Sequence, residues 1–323
     1  MTSQRIPLTV LGGFLGAGKT TLLNRMLQGA GGKRLAVLVN DFGAINIDTA
    51  LVAATTGDTI ALTNGCVCCS IGDDLSGALI RVLAASPSFD AVVIEASGVS
   101  DPWRIAQLGL ADPGLSLDGV IVLVDASAVL DQARDPLLAD SLQRQLKAAD
   151  LIVINKTDLA NDDERRQVRD WIASVAGRTP VFETSQAAVP LPLLTGAALP
   201  AVVPTDTAHG CDHAHHDHTH EHEHGELFDT WSQRPDAVLS AQALRALLRD
   251  MPAGVLRLKG IVRTDEHGWA EVQFAGRHGS LRKAAAEPED GAALVAIGLR
   301  GRLPAPVLDR LLSSSVLTPR GSG

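Results

Sequence analysis

Residues 13–20 read Gly13-Phe14-Leu15-Gly16-Ala17-Gly18-Lys19-Thr20. This is the G-x-x-x-x-G-K-[ST] spacing of a phosphate-binding loop. An apolar β-branched run precedes it and a helical pattern follows, which is the setting the motif needs. Glycines let the main chain wrap phosphates with its N–H groups, so Gly13, Gly16, Ala17, Gly18, Lys19, Thr20 and Thr21 are the expected nucleotide-binding run. Lys19 is expected to bridge the β- and γ-phosphates, and the Thr20 hydroxyl to ligate Mg²⁺. Residues 91–94 run apolar into Glu95, followed by Ala96-Ser97-Gly98. A carboxylate at the tip of a buried strand beside a phosphate loop suits the metal–water shell. Glu95 is therefore a candidate Mg²⁺ partner and catalytic residue, and Gly98 a candidate nucleotide contact. Asp125 ends the next strand and is the lesser candidate. Asn155-Lys156-Thr157-Asp158 follows the apolar run 151–154 with N-K-x-D spacing. Asp158 would accept from guanine N1–H and N2–H₂, donors that adenine lacks. A buried carboxylate left unpaired by the wrong base costs about 1–3 kcal/mol or more. Asn155 would contact the purine edge and the Lys156 stem the ring face, so GTP is favoured over ATP.

A second chemistry lies in the sulfur. Of four cysteines, Cys66, Cys68 and Cys69 fall within four residues, and Cys211 stands apart. Strand alternation would send Cys69 opposite to Cys68, so converging the three thiols needs a turn, which Gly65 and Gly72 make easy. Converged thiolates need a cation, and soft sulfur selects Zn²⁺, Co²⁺ or Cu⁺ over Mg²⁺. Small buried cysteines and a redox switch are the competing readings. Histidine is as uneven. Eight of the ten lie in one tract, at His209, His213, His215, His216, His218, His220, His222 and His224. Neutral imidazoles bind Zn²⁺, Ni²⁺, Co²⁺ and Cu²⁺. The tract is too polar to fold unaided and reads as a loose capture arm to which Cys211 adds a soft ligand, or as a solvated linker.

The elements that must position these groups follow from the pattern. The chain has 323 residues, 46% hydrophobic and 20% charged, a balance that allows a real core and about two domains. A formal charge of −9 argues against nucleic-acid binding. No apolar run is long enough to span a membrane and no signal peptide is read at the start, so a cytoplasmic protein is expected. Apolar runs at 6–11, 35–39, 91–94, 120–124, 151–154 and 181–182 alternate with helical patterns at 20–28, 74–84, 140–148 and 162–175. That alternation predicts a parallel sheet covered on both faces. The tract at 209–226 reads as a linker. A smaller α+β unit follows, with helices over 241–249 and 306–312 and strands over 255–263 and 270–274. Trp231 and Trp269 in it are expected to pack rather than bind. The expected boundaries are a nucleotide domain over 1–204, the His-rich linker over 205–226, the C-terminal α+β domain over 227–317, and a tail over 318–323 that resembles a protease-site remnant.

Several of these segments, in this order, resemble the CobW-like metallochaperone GTPases, relatives of the urease and hydrogenase nickel chaperones. They are residues 13–21, Asn40-Asp41-Phe42-Gly43, residues 65–69, residues 95–98 with Asp101-Pro102, and residues 155–158. Asp73-Asp74-Leu75, Arg257-Leu258-Lys259-Gly260 and the His-rich linker are also similar. The resemblance implies a P-loop NTPase of the SIMIBI type, its mostly parallel sheet carrying helices on both faces. It further implies slow GTP hydrolysis, with GTP or GDP, Mg²⁺ and Zn²⁺ or Co²⁺ as ligands. Cys66, Cys68 and Cys69 would hold metal in the Mg²⁺–GTP state and release it after hydrolysis to a client metalloprotein or metal-insertion enzyme. The protein would be a monomer or homodimer, with no nucleic-acid or membrane partner. The family usually has Asn-Glu-Phe-Gly followed by another acid, where this chain has Asp41 and Ala44. Asp41 is expected to position water or metal, while the Ala44 side chain cannot ligate. A redox-sensing regulatory GTPase and a metal buffer are the alternatives.

Overall fold

Residues on the first strand are buried whichever way they point. Leu8 and Val10 face one side of it, Thr9 and Leu11 the other, and all four are enclosed. A parallel sheet enclosed on both faces needs helices on both, and the order of elements supplies them. The computed structural model describes residues 5–30, 32–39, 59–61, 73–85, 88–196, 228–288 and 290–316. The N-terminal unit runs β1 (Ile6–Gly13), α1 (Lys19–Gln28), β2 (Leu35–Val39), β3 (Thr59–Ala61), α2 (Asp73–Leu83), β4 (Ala91–Glu95) and α3 (Pro102–Ala111). It continues with β5 (Leu115–Asp125), α4 (Val129–Arg134), α5 (Ala139–Ala148), β6 (Leu151–Asn155), α6 (Asp162–Ala176), β7 (Val181–Glu183) and α7 (Leu191–Leu194).

These strands form one seven-stranded sheet in the order β3-β2-β4-β1-β5-β6-β7. Every pairing in it is parallel. On one face Leu8, Val10, Ile94, Val122 and Ile154 pack against Leu79 of α2, Ile105 of α3, Leu142 of α5 and Val168 of α6. On the opposite face the Thr9 hydroxyl donates to the Leu194 carbonyl in α7 at 3.2 Å. The chain places β2, β3 and then β4 on one side of β1, with β4 inserted next to β1, and β5, β6 and β7 in succession on the other. In such a sheet ligands bind at the carboxyl ends of the strands, where the order reverses.

The second unit contains β8 (Phe228–Gln233), α8 (Ala241–Arg249), β9 (Val255–Thr264), β10 (Gly268–Ala275), β11 (His278–Lys283), β12 (Ala293–Leu299) and α9 (Ala305–Ser314). Its five strands are antiparallel in the order β11-β10-β9-β12-β8. Leu258, Val272 and Ala296 on one sheet face pack with Leu244 and Leu308 of the two helices. Trp231 is a packing residue here, buried in that core, and its indole N–H donates to Asp309 Oδ1 at 2.9 Å. Trp269 lies beside the Arg263 guanidinium, 5.9 Å from its ring centre. Among the described residues no helix is long and apolar enough to cross a membrane.

Asp309 Oδ1 accepts from Gln233 Nε2 as well, at 3.1 Å. Asp309→Ala leaves a buried indole N–H without its acceptor, which costs about 1–3 kcal/mol. A fall of that size in the urea unfolding free energy of the C-terminal transition is expected, and Asp309→Asn, which keeps an oxygen at the site, should recover most of it.

Candidate functional site

The phosphate loop leaves β1 at Gly13 and enters α1 at Lys19. Gly18 caps that helix with φ of 103°, no side chain caps it, and no acid lies in its first turn. The first amides of a helix lack intrahelical partners, so this end is electropositive and open to an anion. Only glycine suits position 18. A Cβ there would meet Asn155 Nδ2, and the left-handed conformation would strain any larger residue.

Lys19 is buried and folds back over the loop. Its ammonium donates to the carbonyls of Gly13 at 3.0 Å and Phe14 at 3.3 Å. It also lies 3.9 Å from Glu95 Oε1. The register explains the meeting, because Glu95 at the end of β4 pairs with Leu11 on one side and Val39 on the other. Beyond Glu95 the Ser97 hydroxyl is buried with no partner among the described residues. Thr20 and Asn24 on α1 are half-buried, and Thr21 is exposed. Hard oxygen donors at Thr20 and Glu95 beside a buried unpartnered hydroxyl suit Mg²⁺ and phosphate oxygens.

The base segment reaches the same edge through β6. Asp125 on β5 is in register with Asn155, so Lys156, one residue on, extends beside Asp125. Their ion pair measures 2.7 Å. Lys156 is left-handed, with φ of 60°, and Asp158 is exposed in the short 3₁₀ turn Thr157–Leu159. Asn155 is buried and acts as a tie. Its Nδ2 donates to the Ala17 carbonyl of the phosphate loop at 2.9 Å, and its Oδ1 accepts from the Ala187 N–H at 2.8 Å.

Two groups here were not foreseen. One is the loop through Gln186 and Ala187, both at positive φ (51° and 54°), an arrangement that no propensity signals. Arg25 of α1 donates to the Gln186 carbonyl at 2.8 Å, so this loop ties the first helix to Asn155. The other is Gln145 of α5, which is fully buried. Its Oε1 accepts from the Gly13 N–H at 3.0 Å, and its Nε2 donates to the Gly98 carbonyl at 3.1 Å. Gln145 falls on the apolar stripe with Leu142 and Leu146, so a polar residue at a core position was the available signal. Asp101 caps α3 by accepting from the Trp103 N–H at 2.9 Å. Asp41, Cys66, Cys68, Cys69, Cys211 and the histidines at 209–224 lie outside the described residues.

Phosphate loop, strand-tip carboxylate and base segment therefore share one sheet edge, and by fold and site this is a P-loop GTPase. Residues 7–183 match the family model of the CobW/HypB/UreG nucleotide-binding domain, and residues 228–315 that of the cobalamin synthesis protein cobW C-terminal domain. The chain belongs to the CobW/HypB/UreG family. It is 34% identical over 289 residues to a protein named zinc chaperone CobW of Sinorhizobium sp, covering 79% of this chain and 81% of that one. It is 38% identical over 197 residues to the zinc chaperone YjiA of Escherichia coli K12, covering 58% of this chain and 60% of that one. The crystal structure of Zn(II)-bound YjiA GTPase from E. coli aligns over 98% of this chain and 100% of that chain, at 26% identity and a TM-score of 0.46.

The Asp125–Lys156 pair has a pH signature. Burial alone raises the Asp125 carboxyl, but hydrogen bonds from Lys156 and from the Ser127 hydroxyl and N–H outweigh it and hold the group below its ordinary value. A depressed folded pKa stabilises the native state above the unfolded value of about 3.9, and that contribution is lost as pH falls through the folded value. The stability gap between wild type and Asp125→Asn should therefore be widest near neutral pH and close below about pH 4. Denaturation midpoints across that range measure it.

Proposed function

We propose that this protein is a GTP-gated metallochaperone that carries Zn²⁺, with Co²⁺ the second candidate cargo. The observation that carries the reading is the parallel sheet edge. Cys66, Cys68 and Cys69 lie in the sequence between β3 and α2. Parallel pairing of β3 with β2 and of β2 with β4 puts the carboxyl end of β3 on the edge that carries Glu95 and the phosphate loop. That β3 ends on this edge at Ala61, shortly before Cys66 in the chain, supports a thiolate site linked to the nucleotide. The zinc-chaperone names of the relatives support zinc as the cargo.

In this reading Lys19 binds the β- and γ-phosphates in exchange for the Gly13 and Phe14 carbonyls. Thr20 and Glu95 would hold Mg²⁺, which when bound neutralises charge on the phosphates. Asp158 selects guanine, Asn155 holds the base segment against the phosphate loop rather than contacting the purine edge, and the Lys156 stem covers the ring. Water attacks the γ-phosphorus, the bond to the β-γ bridging oxygen breaks, and GDP and phosphate leave, with Asp41 positioning the water or the cargo metal. Loss of the γ-phosphate removes the tether, the thiolate site loosens, and the metal passes to a client metalloprotein. The tract over 205–226 collects metal through its imidazoles and Cys211. The C-terminal unit serves client recognition.

A chromophoric zinc chelator tests this directly. With the zinc-loaded full chain, little zinc should reach the chelator in the presence of Mg²⁺ and a non-hydrolysable GTP analogue, and it should appear in step with phosphate release when GTP is supplied. In Glu95→Gln both phosphate and zinc release should slow together, by about 10²-fold if Glu95 holds the metal that stabilises the transition state. Zinc that is equally accessible with the analogue and with GDP contradicts the proposal.

A further inference from the structure

Gln145 is a polar side chain on the core face of α5, and both ends of its amide are used. The carbonyl end accepts from the first residue of the phosphate loop, Gly13. The amino end donates to the carbonyl of Gly98, three residues past Glu95. One turn earlier on the same helix, the half-buried Ser141 donates through its hydroxyl to the carbonyl of the next residue, Val99, at 3.1 Å. Residues four apart on a helix share a face, so α5 holds two consecutive carbonyls of the segment after Glu95.

Gly98 and the phosphate loop are also in direct contact. A Cβ on Gly98 would lie 2.7 Å from Leu15 Cγ and 2.9 Å from the Leu15 nitrogen. The Gly98 main chain cannot turn without moving against Leu15, nor without breaking its bond to Gln145. A bridge from an N–H to a C=O needs an acceptor and a donor on one side chain, which an amide supplies. An ionised carboxylate cannot donate, an apolar isostere does neither, and asparagine is one methylene short.

We propose that Gln145, seconded by Ser141, is a positioning residue that sets the Gly98 main chain against the phosphate loop, so that the protein distinguishes GTP from GDP and hydrolyses GTP at its full rate. The proposal rests on the reading of Gly98 as a nucleotide contact. Gly98 is held from behind by α5 and in front by Leu15, so the terminal phosphate meets a main chain already in place. Without the bridge, a bound γ-phosphate has to order that segment itself. GDP makes no such demand. The loss therefore falls on GTP, and misplacement of this kind costs rate as well as affinity.

Binding of a fluorescent non-hydrolysable GTP analogue and of fluorescent GDP to the full chain, with Mg²⁺, tests this alongside steady-state GTP hydrolysis. In Gln145→Met the affinity ratio of analogue to GDP is expected to fall about tenfold with kcat falling similarly, and in Ser141→Ala about threefold. Gln145→Glu adds a readout that packing alone does not move. Burial raises its carboxyl pKa, so the protonated form, which can donate to Gly98, gains as pH falls from 8 to 6, and the ionised form, which cannot, gains as pH rises. Its analogue-to-GDP ratio should recover toward wild type at the lower pH. Equal weakening of both nucleotides, or a Gln145→Glu ratio that follows the wild-type pH profile, overturns the proposal. If Gln145→Met does not fold, an unchanged ratio in Ser141→Ala overturns it alone. Failure of the wild-type protein to bind either guanine nucleotide would instead overturn the functional reading on which it rests.

Discussion

A lysine ammonium enclosed in protein has to be met by oxygen. Lys19 is 7% exposed and Glu95 3% exposed, and taking either charge out of water alone costs several kcal/mol. The N-terminal unit answers that constraint by placing β4 next to β1 and ending it one register step past the core, so that Glu95 arrives beside the phosphate loop. The loop adds the Gly13 and Phe14 carbonyls. This arrangement is also one that phosphate can replace. A nucleotide offers Lys19 stronger acceptors than two carbonyls, and the exchange frees Glu95 for Mg²⁺ on the proposed reading. On that reading a single cation couples the occupancy of the loop to the position of the neighbouring strand tip.

Around that pair the site is tied together by uncharged side chains. Asn155 links the loop to the base segment and to Ala187, and Gln145 links it to Gly98. Both are buried and both spend donor and acceptor alike. Buried networks hold one geometry when fully satisfied. Arg25 adds a tie from α1 to Gln186. The loops that would contact phosphate, metal and base are therefore joined to one another as well as to the sheet.

Much of this was legible in the sequence. The phosphate loop, Glu95 and residues 155–158 announce themselves because their chemistry demands particular residue types at fixed spacings. The β-branched runs of β1, β2, β4 and β6 match the strands closely, since strands enclosed on both faces carry continuous apolar runs. α8 was expected over 241–249 and spans Ala241–Arg249. β8 and β11 were missed because they are edge strands, half-exposed and polar, so they lack a clean apolar alternation. α3 was missed although Asp101 and Pro102 gave its start, and β12 was missed although it is a plain apolar run. Gln145 is marked only as a polar residue at a core position, and its role, like that of the positive-φ loop at Gln186 and Ala187, is not legible, for a different reason. Their roles lie in partners 132 and 32 residues away, and nothing in local pattern names a distant partner. Asp125 stood as a lesser metal candidate; in the structure it holds Lys156 and Ser127.

On the proposed reading the nucleotide state gates a thiolate metal site. The most direct measurement is a Co²⁺ titration of the reduced, anaerobic protein, with the 209–224 histidine tract deleted, followed by the thiolate-to-cobalt absorption band with and without Mg²⁺ and a non-hydrolysable GTP analogue. The band should strengthen with the analogue and vanish in Cys66→Ser, and by linkage analogue affinity should gain equally when Co²⁺ is bound. A band of the same strength in both nucleotide states, or no thiolate band at all, contradicts that reading.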